Sequence, residues 1–229
     1  MSMTVAKAAE HLGVTPRQVQ RLVAAGVIPA QRGVGDSWLL DSHAVRERML
    51  LGVKQGRRWN QATAWAAIEL LSGGTTERLQ GSALSRLRRS LWGITVQDFV
   101  CQAQGRSRSV RVVQTRRRRS DLSSELQLTG ASALEDPDLA RAFGLTPGAA
   151  AILEGYLVES AWEHIRERYG LVPDVDGDVL IHLTGGDQPD VTRLVVALDL
   201  YIRGSAREQS AALSVLSGHL QEGAGQRAH

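Results

Sequence analysis

The chain has 229 residues, 27 Lys or Arg against 24 Asp or Glu, and a formal net charge of +3. That near-balance hides two opposed halves: residues 1–119 carry 20 basic and 7 acidic groups, a net of +13, and residues 120–229 carry 7 basic and 17 acidic groups, a net of −10. No stretch reaches the roughly 20 apolar residues of a membrane span, no basic-then-apolar leader opens the chain, and a single cysteine, Cys101, excludes an intrachain disulfide framework.

The first 45 residues predict two short helices joined by a tight turn. Thr4 is placed to cap the first, and Val5, Ala8, Ala9 and Leu12 recur at the spacing of one buried stripe. Gly13 stands where a left-handed residue closes a helix. The second helix opens on Thr15, with Gln18 completing a capping box and Pro16 at the first helical position, where no N–H is needed. Val19, Leu22 and Val23 face inward. Arg17, Gln18, Gln20 and Arg21 are left outside, and these residue types read guanine and adenine edges or clamp phosphates. Gly26 ends the helix. Ile28 to Leu40 then reads as a β-hairpin wing with its tip near Gly33–Ser37 and Arg32 beside it, and Asp41-Ser42 leads into a third helix.

The order A-A-E-x-L-G-V-T, then R-x-V-x-R-L-V-x-x-G-x-I-P-A, then W-L-L-D resembles the excisionase and MerR-type winged helix family over about residues 3–50. The resemblance implies major-groove binding by the second helix and backbone contacts by the wing. A homodimer is expected, because one reader helix normally pairs with a symmetry mate to cover two half-sites.

Residues 57–119 read as three helices, about Trp59–Leu71, Ser82–Trp92 and from Thr95 to near Gly105, followed by a basic strand at about 108–115. The set suits either a second winged-helix-like unit or a helical connector. Arg106, Arg108, Arg111 and the run Arg116, Arg117, Arg118 and Arg119 form the densest positive charge of the chain, expected to add phosphate contacts.

The acidic half reads as mixed α/β. A strand is expected near Leu126–Leu128 entering a turn at Gly130, a helix opened by a Ser160–Glu163 capping box and closed by Gly170, a strand over 178–184, a helix over 191–203 and a last helix capped by Ser205 and Glu208. Asp174, Asp176 and Asp178 have the spacing of a calcium loop, but its sixth position is Val179 and its twelfth Gly185, so an acidic turn is expected. His164 and His182 have no Ser or Cys partner at a recognisable spacing, and no P-loop or dinucleotide fingerprint occurs. The expectation is a protein without catalysis, cofactor or metal.

The strings R-R-W-N-Q-A-T-A-W-A-A-I-E-L-L-S-G, L-T-G-A-S-A-L, R-Y-G-L-V-P and V-V-A-L-D-L-Y-I-R-G-S-A-R-E-Q-S-A are similar to actinobacterial antitoxins of the abortive-infection (type IV) toxin–antitoxin class. This resemblance implies an autorepressing regulator whose C-terminal part opposes a nucleotidyltransferase-type toxin. An excisionase-like architectural factor and a protein-interaction module acting through the acidic half are the alternatives.

The expected whole is an α+β, predominantly helical, cytoplasmic and nucleoid-associated protein with double-stranded DNA as partner. Its parts are a winged helix-turn-helix over 1–55, a helical basic segment over 56–119, an acidic α+β domain over 120–222 and a tail over 223–229.

Overall fold

The structure, a computed structural model, describes residues 2–33, 37–51, 58–116 and 119–225. Its N-terminal unit is built from β1 (Ser2–Thr4), α1 (Val5–Leu12), α2 (Pro16–Ala24), β2 (Ala30–Arg32), β3 (Trp38–Asp41) and α3 (Ser42–Leu51). Local chemistry sets each end. Thr4 Oγ1 accepts from Lys7 N at 3.4 Å. Gly13, at φ 62°, sends its N–H back to the Ala9 and Glu10 carbonyls, a left-handed closure that costs a residue with a Cβ about 1 kcal/mol or more. Thr15 and Gln18 cap reciprocally, with Gln18 N to Thr15 Oγ1 at 3.3 Å and Thr15 N to Gln18 Oε1 at 3.0 Å. The chain therefore turns within three residues and the second helix starts at once. β3 pairs antiparallel with both β1 and β2, so a three-stranded sheet closes the unit over Met3, Ala8, Leu12, Val19, Ile28, Leu40 and Val45.

The rest of the chain is one α/β body. Its helices are α4 (Gln61–Leu71), α5 (Gly81–Ser90), α6 (Val96–Ala103), α7 (Arg119–Ser123), α8 (Gly130–Ala133), α9 (Pro137–Ala142), α10 (Trp162–Tyr169), α11 (Arg193–Arg203) and α12 (Ala206–Gly225). Its strands are β4 (Arg108–Gln114), β5 (Gln127–Leu128), β6 (Leu153–Val158), β7 (Leu171–Pro173) and β8 (Val179–Thr184). They form a five-stranded sheet in the order β5-β6-β8-β4-β7, with β6 and β8 parallel and every other pair antiparallel.

Strand periodicity divides the sheet into two faces. Val112, Leu153, Leu157, Val179, Ile181 and Leu183 point to one side and pack on Trp162, Ile165 and Tyr169 of α10. Tyr156 points to the other side, into a larger core built from α4, α6, α11 and α12 around Trp65, Ile68, Phe99, Leu194, Leu198 and Leu216.

Three expectations change here. The basic strand is not the wing of a second winged-helix unit. It is β4, flanked by β8 and β7 from the acidic half. Consequently no boundary falls between residues 119 and 120: the sheet and the helical core both draw on the basic and acidic halves. Backbone groups of a central strand need partners on both sides, and here those partners lie 57 to 75 residues further on. The Ser160–Glu163 cap is not made either. Residues Glu159–Ala161 form a 3-10 turn, the helix begins at Trp162, and Glu163 pairs with Arg166 at 2.7 Å. β6 and the short helices α8 and α9 were not foreseen. Ser205–Glu208 does cap the last helix.

A fragment beginning at residue 120 is expected not to fold, because it lacks β4 and the α4 and α6 walls of the core. Far-UV circular dichroism with thermal melting checks this; a cooperative transition in the 120–225 fragment would show the halves to be independent.

Candidate functional site

Two assemblies of polar groups stand out, one at the surface of the N-terminal unit and one inside the body. On α2, Val19 is fully buried while Thr15, Arg17, Gln18, Gln20 and Arg21 are all exposed. Arg17 and Arg21 are one turn apart and present their guanidinium groups on the outer face of the helix. Gln18 differs from its neighbours because its Oε1 is held by Thr15. An amide that reads adenine uses its oxygen and its NH2 together, so Gln18 belongs to the cap and Gln20 is the amide on that surface with this role open to it. β2 and β3 make a hairpin closed by Gly33 N to Ser37 O at 2.8 Å. Arg32 lies on it with its guanidinium 4.7 Å from the Trp38 ring centre, a cation–π contact. The proposed tip residues 34–36 lie outside the described residues.

The arginines expected to extend this basic surface divide into groups with different roles. Arg106 is buried at 1% exposure. It donates to Asp199 at 2.5 Å, to the Tyr156 hydroxyl at 2.7 Å and to the Ala103 carbonyl at 3.0 Å. Arg111 is also buried, with Nε on the Gly177 carbonyl at 2.8 Å. Neither presents its charge to DNA as expected. Each is held by acceptors of the body, Arg106 from the turn before β4 and Arg111 from the interior strand β4 itself, because a buried charge must find partners. Arg108 is exposed and pairs with Glu159 at 2.8 Å. Arg119 bonds Asp178 at 3.1 Å and the Ala150 carbonyl at 3.3 Å, so it ties α7 to the sheet. Arg116 is exposed. Arg117 and Arg118 lie outside the described residues.

The buried assembly centres on Asp199 of α11, which has no exposed surface. Its Oδ1 accepts from Arg106 and from Arg203, and its Oδ2 accepts from Thr129 Oγ1 at 2.8 Å and the Tyr156 hydroxyl at 3.1 Å. Arg203, one turn along α11, also donates to Glu154 of β6 at 2.7 Å. Glu154 Oε1 in turn lies 2.8 Å from His182 Nε2 of β8, and His182 Nδ1 lies 2.9 Å from Ser109 Oγ of β4. A carboxylate only accepts, so Nε2 carries the imidazole proton and Nδ1 accepts from the serine hydroxyl. Sheet register makes this possible: Ser109 is directly opposite His182, and His182 directly opposite Tyr156. Gly130 belongs to the same design. At φ 55°, it leaves room for Glu154, whose Oε2 would lie 2.4 Å from any Cβ there.

Electrostatics follow from the geometry. Burial alone would push the Asp199 carboxyl up; the charges of Arg106 and Arg203 outweigh it and hold the group well below the usual carboxylate range. Burial acts on Glu154 in the same sense, and Arg203 with the His182 hydrogen bond brings it below its ordinary value. Burial lifts the Tyr156 hydroxyl far above its ordinary value, which keeps it a neutral donor.

Glu154, His182 and Asp199 each bring one ligand atom within 4.8 Å of the others. Two guanidinium groups already neutralise the carboxylates, so the space a cation would take is filled by Arg203. Ser109–His182–Glu154 has the connectivity of a nucleophilic triad, and Ser109 is the partner that sequence spacing did not reveal for His182. It lies 73 residues away, across a strand pair. Arg203 blunts that chemistry, because a carboxylate neutralised by a guanidinium is a poor stabiliser of the imidazolium that a catalytic base must become.

Residues 2–50 match a family model described as a helix-turn-helix domain. No curated protein and no solved structure matches the chain. The N-terminal unit is a helix-turn-helix domain, which points to a DNA-binding regulator in general terms. Among the described residues no helix is long and apolar enough to cross a membrane.

Breaking the buried network from one side leaves an uncompensated charge inside, so Arg106→Met and Asp199→Leu are each expected to cost about 3–5 kcal/mol of stability; urea denaturation measures it. Both carboxyls titrate lower in the folded chain than in the unfolded one. Their stabilisation is therefore complete above the unfolded carboxylate range, about pH 4, and is lost as pH falls through the lower folded values. Thermal midpoints should be insensitive to these two groups between pH 5 and about 8 and fall steadily below about pH 4. Asp199→Asn should flatten that acid limb; an unchanged limb would show that Asp199 does not contribute to it.

Proposed function

We propose that the protein is a sequence-specific transcriptional regulator that binds double-stranded DNA through α2. The observation that carries this reading is the outer face of α2, where Arg17, Gln20 and Arg21 are exposed above a capped, packed helix inside a matched helix-turn-helix domain. Recognition helices place their N-terminal side chains against base edges in the major groove, and these three are suited to guanine and adenine. Thr15 at the helix start and Arg32 on the hairpin are positioned for phosphates, the hairpin acting as the wing. Of the later arginines, Arg116 and Arg108 are the exposed ones that can extend the contact. A homodimer supplies the second half-site.

The finer reading is an autorepressing antitoxin, whose α/β body meets a nucleotidyltransferase-type toxin. It rests on the resemblance of residues 57 to about 218 to that class. A complete body with two cores is more than DNA bending alone requires, which favours this reading over an excisionase-like architectural factor. We read the Ser109–His182–Glu154 chain as structural and the protein as a non-enzyme.

A mobility shift of the full chain on the DNA just upstream of its own start codon, at near-physiological salt with random DNA as competitor, is expected to show specific retention. Arg17→Ala or Arg21→Ala should remove about 1–3 kcal/mol of discrimination and relax sequence preference. Equal retention of random DNA would favour the architectural reading, and an Arg21→Ala variant that binds like the parent would show α2 to be misassigned as the reader.

A further inference from the structure

A cleft of about 630 Å³ opens between the helix-turn-helix unit and the body. One wall is the loop after α2 (Gly26, Val27, Pro29) with α3; the other is β4 and the end of α11. Its size is that of a small-molecule site. Five arginines line it, Arg48, Arg58, Arg108, Arg111 and Arg203, against two acids, Asp41 and Glu47. Arg108 is already paired with Glu159 at 2.8 Å. Glu47 is 3.6 Å from Arg203, which Glu154 and Asp199 already neutralise.

Arg48 and Arg58 are the telling pair. Burial lowers the affinity of the Arg48 guanidinium for its proton, and the like charge of Arg58 lowers it further. Arg48 Nε is buried and has no hydrogen-bond partner among the described residues. A buried donor left unpaired costs free energy comparable to a lost hydrogen bond, and the like charge of Arg58 adds repulsion. Proteins keep such arrangements where something negative completes them.

We infer that this cleft binds a small molecule bearing a multivalent phosphate group. Arg48 and Arg58 hold it from one side and the exposed Arg108 from the other, in the charge-assisted geometry that guanidinium groups make with phosphate oxygens. The ligand thereby bridges α3 and the segment before α4 to β4 of the sheet. Arg203 joins this cleft to the buried network and, through Glu47, to α3. Occupancy thus fixes the reader unit against the body. The effect on DNA affinity rests on the proposed function; the binding itself does not.

Inorganic pyrophosphate is the probe, titrated into the full chain without DNA by isothermal calorimetry, with sodium chloride at matched ionic strength as control. Saturable binding at one site per chain is expected, with a rise in thermal midpoint that chloride does not reproduce. Arg48→Gln should weaken it at least about tenfold, the scale of one lost charge-assisted bond. Because the unliganded chain carries the repulsion, the same variant without pyrophosphate should melt no lower than the parent, which separates loss of a ligand from loss of the fold. Arg108→Gln, at an exposed position, gives a second check. Arg17→Ala should bind pyrophosphate normally, so failure of the DNA reading leaves this test intact. No saturable binding, or binding unchanged by both cleft variants, overturns the proposal. So does a result in which Arg48→Gln weakens DNA retention and pyrophosphate does not bind, for then the cleft is a groove for the DNA backbone.

Discussion

Asp199 is a carboxylate with no access to water, and a bare charge in that position would destabilise the fold by several kcal/mol. Its two oxygens accept from Arg106, Arg203, Thr129 and Tyr156. Those four partners come from the end of the α6 segment, from α11 itself, from the start of α8 and from β6. Each must be in place for the charge to be tolerable. Hydrophobic burial says only that apolar surface should be covered; this group says which surfaces must meet. The α/β body therefore holds one arrangement of its sheet and helices, with the end of the α6 segment, the start of α8 and β6 brought to the same helix by a shared ion.

The network also explains why the charge asymmetry of the chain does not produce two domains. Arginines from the basic half and carboxylates from the acidic half meet inside the body: Arg106 with Asp199, and Arg119 with Asp178 nearer the surface. Much of the apparent basic tail is thus consumed internally. Among the described residues, exposed arginines remain on α2, on α5 (Arg86, Arg88 and Arg89) and on the β2–β3 hairpin.

The reader unit and the body meet through few direct links, of which Glu47 with Arg203 is one. Arg203 is the hinge of this relation in an electrostatic sense. It is locked to Asp199 and Glu154 on the inside and offers its remaining side to α3 and the cleft. Glu47 and Arg203 thus link α3 to the buried network.

Local rules read the N-terminal unit from residues alone. Thr4, Gly13, Pro16 and the Thr15–Gln18 box act within four residues of themselves, so the sequence determined the two helices, their turn and the exposed face of α2. The same held for Thr95 and Ser205 at later helix starts. What lay beyond reach were partners distant along the chain. Arg106 looks like any other member of a basic run, and only the sheet brings it to Asp199, 93 residues later. Ser109 gains a histidine, and Gln18 loses its base-reading oxygen, for reasons of register and cap geometry rather than composition. β6 was missed because its burial on both faces erases the alternation that marks a half-exposed strand. Residue type and short-range spacing fixed where the helices begin and which side of α2 faces outward; which charges face solvent and which face each other was decided by tertiary structure, because ion pairing depends on distance in space and not along the chain.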